Sequence, residues 1–146
     1  VGVGLHPNDI VKSHDGQWLF VSNSNTDDIS VISTQTLDVV ETISVQISPG
    51  ADGFIGDSPN AMAVSANDST LYVANGMDNA VAVVQLSIDK QQSRVKGYIP
   101  TEAYPGALAI DGKELLVCNL EGEGARVNSR DMTNAEALTR KIKSGA

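Results

Sequence analysis

The sequence predicts an all-β fold, a partial β-propeller of about three four-stranded antiparallel blades, and two observations carry this prediction. The first is a short apolar segment ending in asparagine that occurs three times, as LFVSN at 19–23, LYVAN at 71–75 and LLVCN at 115–119. Each copy follows a proline, an apolar strand and a polar turn. The second is the spacing of Asn23, Asn75 and Asn119, which are 52 and 44 residues apart. That period is typical of four-stranded propeller blades.

Apolar strands and polar turns predict two nearly whole blades and part of a third. The first blade covers about residues 6–47 and the second about 58–100. The third spans about 104–128 and is incomplete, with a first hairpin shortened by the tight Asp111-Gly112 turn. The predicted strands lie at 9–12, 17–22, 29–32 and 39–45 in blade 1, and at 61–65, 70–74, 80–84 and 94–99 in blade 2.

The repeat fails after Asn119. The place of a third strand is taken by 125–127, inside a stretch rich in glycine and charge. Thr133 and Glu136 have the spacing of a capping box, which predicts a short C-terminal helix over about 134–143. Such a helix would interrupt the blade rather than complete it. We therefore expect residues 1–146 to be an excerpt of a larger propeller.

Composition and charge exclude several classes of protein. The net charge is −8 and the isoelectric point about 4.5. A nucleic-acid partner needs a cationic face, so none is expected. There is no run of 18 apolar residues to span a membrane, and VGVGLHP at the start lacks the features of a signal peptide. A single cysteine, Cys118, excludes an internal disulfide framework.

The repeated segments resemble the YVTN-type β-propeller repeat of surface-layer-like and lactonase-like proteins. The run GDSPNAMAVSANDSTLYVANGMDNAVAVV, with VKGYIPTEAYPGALAI after it, is similar to a subgroup whose propeller is joined to a phosphoesterase domain of the alkaline-phosphatase superfamily. The resemblance covers about residues 4–125 and implies an extracytoplasmic location, periplasmic or at the cell surface. It brings over no catalytic residue, because the phosphoesterase residues of that subgroup lie outside the propeller. The first turns read SHDG and SAND where the family often has SPDG.

Candidate ligand-binding residues lie in the connections that lead into the innermost strands. In a propeller these connections share one face around the central channel, and the longest of them, 46–58, is where function is most expected. Carboxylates beside an imidazole could hold calcium, but 52–57 lacks the alternating oxygen ligands of an EF-hand loop. We therefore predict no catalytic residue, metal or cofactor, with calcium as the one ion left open. The candidate residues are His6, Asn8, Asp9, Asp52, Asp57, Glu102 and Tyr104.

Two classes of function remain open at this point. The first is a non-catalytic binding scaffold whose loops take a protein, a glycan or a small ligand. The second is part of an enzyme, either a lactonase-like propeller or the propeller portion of a phosphoesterase-linked protein. The first is favoured because no nucleophile–base pair stands out. The end blades should expose apolar faces, including Leu19 and Val21 or Leu115 and Val117, for self-association or for the remaining blades of a parent protein.

Overall fold

The computed structural model describes residues 1–48 and 56–120, and the backbone of a strand at 139–143. These parts form three antiparallel sheets, which we call blades 1, 2 and 3. Blade 1 contains β1 (Pro7–Lys12), β2 (Trp18–Asn23), β3 (Asp28–Ser33) and β4 (Val39–Ser44). Blade 2 contains β5 (Pro59–Val64), β6 (Thr70–Asn75), β7 (Ala80–Gln85) and β8 (Arg94–Pro100). Blade 3 contains β9 (Pro105–Asp111), β10 (Glu114–Asn119) and β11 (Thr139–Lys143).

The predicted all-β propeller fold is confirmed. In each blade, strands that are consecutive in the sequence are neighbours in the sheet. Residues 121–138, between β10 and β11, lie outside the described residues. The repeated segment forms the second strand of each blade, β2, β6 and β10, where β-branched and aromatic residues are favoured. Within the described residues there is no helix, and so none long and apolar enough to cross a membrane.

Alternate residues of a middle strand face opposite neighbouring blades. In β6, Leu71 and Val73 are fully buried in a core that also contains Phe20 of blade 1. Tyr72 faces the other way and packs with Leu115 of blade 3. The two-residue period of a strand therefore sends one set of side chains to the preceding blade and the other set to the following one.

The predicted C-terminal helix is wrong over 139–143. These residues form β11, which pairs antiparallel with β10 from Glu114↔Lys143 to Cys118↔Thr139. A helix of ten residues is marginal on its own, whereas the edge of β10 offers backbone groups already fixed for pairing. Blade 3 is thus continued, rather than interrupted, at this point. The first half of the predicted helix, 134–138, and the strand expected at 125–127 lie outside the described residues.

The expected exposure of the end blades is also wrong at three of the four residues named. Leu115 and Val117 are buried, because they point back toward Val81 of blade 2. Val21 is buried and Leu19 is half-buried. The outward face of blade 3 is instead marked by the small residues Ala107 and Ala109, which are exposed, and by Leu116 and Cys118, which are half-buried.

Candidate functional site

Three residues that lead into the innermost strands share one backbone conformation. His6, Ser58 and Tyr104 each precede a proline and have φ values of 57°, 52° and 53°. Their carbonyl oxygens accept hydrogen bonds from the backbone N–H groups of Ser24, Gly76 and Leu120, respectively, at 3.0, 3.1 and 2.9 Å. The predicted site residues His6 and Tyr104 therefore use their backbones to start a blade.

A residue in the turn of one blade holds the lead-in residue of the next. The Oδ1 atom of Asp27 accepts a hydrogen bond from the Ser58 N–H at 3.1 Å. One repeat later, Asn79 Oδ1 accepts the Tyr104 N–H at 2.8 Å. Asp27 and Asn79 also share a left-handed conformation, with φ of 53° and 54°. The two acceptors, Asp27 and Asn79, are 52 residues apart, which is one repeat. The contact sets the angle between each blade and the next.

Asn8 and Asp9 take part in the same seam between blades 1 and 2. Asn8 Nδ2 donates to the Ser24 hydroxyl at 2.7 Å, and that hydroxyl donates to the carbonyl of Pro59 at 2.9 Å. Asp9 Oδ2 accepts the backbone N–H of Met62 at 2.9 Å. Both predicted site residues thus act in blade cohesion in this structure.

Asp57 lies in an acidic cluster that the sequence did not bring together. Burial raises the pKa of its carboxyl to about 6, helped by a hydrogen bond with Asp78, by the charge of Asp78 and by that of Asp27. The Ile47 N–H, which donates to Asp57 Oδ2 at 3.0 Å, acts in the opposite direction. Burial, together with the charges of Asp57 and Asp78, raises the pKa of Tyr98. Asp57 therefore keeps its proton to a higher pH than an ordinary aspartate does.

The remaining predicted site residues do not complete a metal centre. Glu102 is half-buried and already interacts with other groups, and its carbonyl accepts the Thr101 hydroxyl. Asp52 lies outside the described residues. Among the residues that the structure describes, no three His, Cys, Asp or Glu side chains are grouped so that they could hold a metal ion. The sequence-based prediction of no metal, with calcium left open, is not tested by these residues.

At the opposite end of the blades, a carboxylate of blade 2 caps the first turn of blade 1. Asp68 accepts the His14 N–H at 2.8 Å through Oδ1 and the Asp15 N–H at 3.0 Å through Oδ2. The His14 ring nitrogen Nδ1 lies 3.0 Å from Oδ1. Burial tends to raise the pKa of Asp68, but these contacts outweigh it and lower the pKa. Sequence reasoning saw His14 and Asp68 only as turn residues, since nothing local indicates a contact across 54 positions.

The corresponding seam between blades 2 and 3 contains a cleft instead of such a cap. The first turns of blades 1 and 2 each have five residues between strands, 13–17 and 65–69, whereas blade 3 has only 112–113. The shorter turn cannot reach across to blade 2. A cleft of about 160 Å³ results, and it is lined by Ser65, Ala66, Tyr72, Ile110, Gly112, Lys113, Glu114 and Leu115.

The fold and its seams define a β-propeller, and solved structures agree. The chain aligns with a 6-phosphogluconolactonase candidate from Bacteroides fragilis with a TM-score of 0.70 and 20% identity, over 99% of this chain and 40% of that one. A Lactobacillus plantarum protein gives a TM-score of 0.70 and 24% identity, over 97% and 42%. Kuenenia stuttgartiensis hydrazine synthase gives 0.65 and 24%, over 84% and 32%.

These likenesses establish the fold alone, because each of these three identities is below 25%. The chain spans about a third to two-fifths of the length of these structures. No family model matches the sequence, and no curated protein matches it either.

Proposed function

We propose that this chain forms consecutive blades of a larger β-propeller and serves as a non-catalytic binding scaffold. The observation that carries the proposal is the repeated contact of Asp27 with Ser58 and of Asn79 with Tyr104. In this contact a side chain of one blade positions the first residues of the next blade. The same contact could be repeated between further blades. Closure by four to eight blades is usual for propellers. The alignment over about 40% of a longer solved chain supports the same view.

The state of the predicted site residues supports a scaffold over an enzyme. His6 and Tyr104 set the start of a blade, while Asn8 and Asp9 bind neighbouring strands. A reaction centre needs a base within hydrogen-bond reach of a nucleophile or of a bound substrate. The ion pair between His14 and Asp68 belongs to the cap of a turn, where both residues have a structural role.

An enzymatic role is the second candidate, and two observations favour it. Structures assigned as 6-phosphogluconolactonase candidates share this fold. The pKa of Asp57, about 6, would also suit a general base near neutral pH. The resemblance noted in the sequence further suggests an extracytoplasmic location, and the binding partner would then be a protein, a glycan or a small ligand met there.

The experiment that separates the two candidates is hydrolysis of 6-phosphogluconolactone, followed by NMR at pH 7 with and without the protein. We expect the lactone to decay at the rate of the buffer alone, and Asp57→Asn and His6→Ala to leave that rate unchanged. Saturable hydrolysis that is lost in Asp57→Asn would overturn the scaffold proposal and favour the enzyme.

A further inference from the structure

The first turn of blade 1 shows how two consecutive amides of this fold bind a carboxylate. The N–H groups of His14 and Asp15 each donate to one oxygen of Asp68, at 2.8 and 3.0 Å. Consecutive amides that converge in this way form an anion-binding concavity, and a charged acceptor makes each hydrogen bond stronger than a neutral one would.

The same pair of amides occurs one repeat later. Adding the 52-residue period to 14 and 15 gives Ala66 and Asn67, which occupy the same places in the turn after β5. The turn is closed alike in both copies, by Gly16 N–H to Ser13 O and by Asp68 N–H to Ser65 O. Because the two turns are closed alike, we expect the Ala66 and Asn67 amides to point toward blade 3 as the His14 and Asp15 amides point toward blade 2.

Blade 3 offers no carboxylate at the matching place. Its turn has two residues where that of blade 2 has five, and the 44-residue period places Gly112, which has no carboxylate, at the position of Asp68. Within residues 1–48 and 56–120, neither the Ala66 nor the Asn67 N–H donates a hydrogen bond to a protein acceptor. Both residues are exposed, and Ala66 lines the cleft of about 160 Å³.

We propose that this cleft is a binding site for a carboxylate supplied by a ligand, with the Ala66 and Asn67 amides taking the part that His14 and Asp15 take toward Asp68. The wall of the cleft includes the half-buried Tyr72 and Ile110. The site therefore suits a carboxylate attached to a small apolar group, and benzoate is a fitting probe.

Two charged residues at the cleft act in opposite directions. Lys113 lines it and raises the local potential, which favours an anion. Glu114 also lines it and lowers the potential. Replacing each should change the affinity for a carboxylate in opposite senses, although both side chains already have interactions of their own.

The sequence departs from the family turn at the position that matters for this site. The family turn, SPDG, has proline after its serine, and a proline has no N–H to donate. This chain has Ala66 there, so the donor is kept. Because that place is the second residue of a turn closed by Asp68 N–H to Ser65 O, proline is tolerated or preferred in it. Ala66→Pro therefore removes one donor while leaving the turn compatible with folding.

This inference deepens the proposed scaffold role by naming a ligand class, and it places the ligand at the blade end opposite the one expected from the sequence. Its test is an amide ¹H–¹⁵N titration of the whole chain with sodium benzoate at constant ionic strength, with neutral benzamide as the matched control. We expect saturating shifts at Ala66 and Asn67 with a dissociation constant of the order of millimolar, and no matching shifts at His14 and Asp15.

Three variants sharpen the test. Ala66→Pro should weaken benzoate binding roughly fivefold or more, since one charge-assisted hydrogen bond is lost. Asp68→Gly, which copies Gly16 of blade 1 and tolerates the φ of 55° at this position, should make His14 and Asp15 respond as well. Glu114→Gln should tighten binding. Equal shifts with benzamide, or unchanged affinity in Ala66→Pro, would overturn the inference. Neither result would bear on the lactone assay, which tests the scaffold role.

Discussion

The carboxylate of Asp9, in the innermost strand of blade 1, accepts the backbone N–H of Met62 in the innermost strand of blade 2 at 2.9 Å. This hydrogen bond joins two strands that belong to different sheets and that have no backbone hydrogen bonds to each other. The same carboxylate binds its own chain at the Ile10 N–H, at 2.8 Å. Ala61 and Ala107 occupy this place in the other blades, so the contact is particular to the first seam.

Replacing Asp9 should loosen this seam. Asp9→Ala leaves the Met62 N–H without its side-chain acceptor, and we expect unfolding to become easier by about 1 kcal/mol. Asp9→Asn keeps one oxygen as an acceptor and should lose less. Urea unfolding of the three proteins measures the difference. Equal midpoints for Asp9→Ala and the unchanged protein would show that the contact adds nothing to stability.

Gly76 should not tolerate a side chain. A Cβ atom there would lie 2.5 Å from Asn60 Nδ2 and 2.7 Å from the Tyr104 ring, closer than atoms can approach without movement. We expect Gly76→Ala to cost about 1–3 kcal/mol, as overpacked sites do. Gly97→Ala is the matched control, because nothing lies within 4 Å of its Cβ position. The same thermal or urea midpoint for both variants would contradict the close packing of Tyr104 against blade 2.

The stability of the protein should fall as the pH rises through the range in which Asp57 titrates. Its pKa is raised from 3.8 to about 6 on folding, so the folded chain holds a proton that the unfolded chain has lost. The resulting stabilisation is complete below about pH 4 and disappears above about pH 6. Asp57→Asn, which keeps an acceptor for the Ile47 N–H and can donate to Asp78, should flatten this dependence. Urea midpoints from pH 4 to 8 provide the measurement. A profile that is the same in both proteins would contradict the raised pKa of Asp57.

Asp68 should make the stability of the protein depend on pH in the opposite sense, falling as the pH is lowered. Its pKa is lowered on folding, so the stability that it provides is present above its ordinary pKa of 3.8 and is lost as the pH falls through the folded value. Asp68→Asn should therefore lower the urea midpoint at pH 7 and change it little at strongly acidic pH. A midpoint at pH 7 equal to that of the unchanged protein would show that the cap on His14 and Asp15 is not stabilising.

The strand pattern could be predicted from the sequence because it depends on local features. The observed β2 and β6 match the expected strands to within a residue or two, since alternation and turn residues mark them directly. The end of the chain was predicted as a helix because the capping box at Thr133 is also a local signal. The pairing of Thr139–Lys143 with β10 depends on a partner strand about 25 residues away, which no local signal reports.

The structural roles of the candidate site residues could not be predicted from the sequence, for a related reason. His6, Asp9 and Tyr104 were correctly placed near the start of a blade, but a sequence does not show that a polar group is already used by a neighbouring blade. The contacts of Asp27 with Ser58 and of Asp68 with His14 cross 31 and 54 positions. Such contacts depend on how the blades pack in space, and so does the cleft beside Ala66.

Amide hydrogen exchange under native conditions tests most directly whether side-chain acceptors hold one blade against the next. We predict slow exchange at Ser58, Met62 and Tyr104, whose N–H groups bind Asp27, Asp9 and Asn79, and measurable protection at His14 and Asp15. Ala66 and Asn67, in the equivalent turn without a cap, should exchange at nearly the rate of an unfolded chain. Equal protection of the 14–15 and 66–67 pairs, or rapid exchange at Ser58 and Tyr104, would contradict this account of the seams.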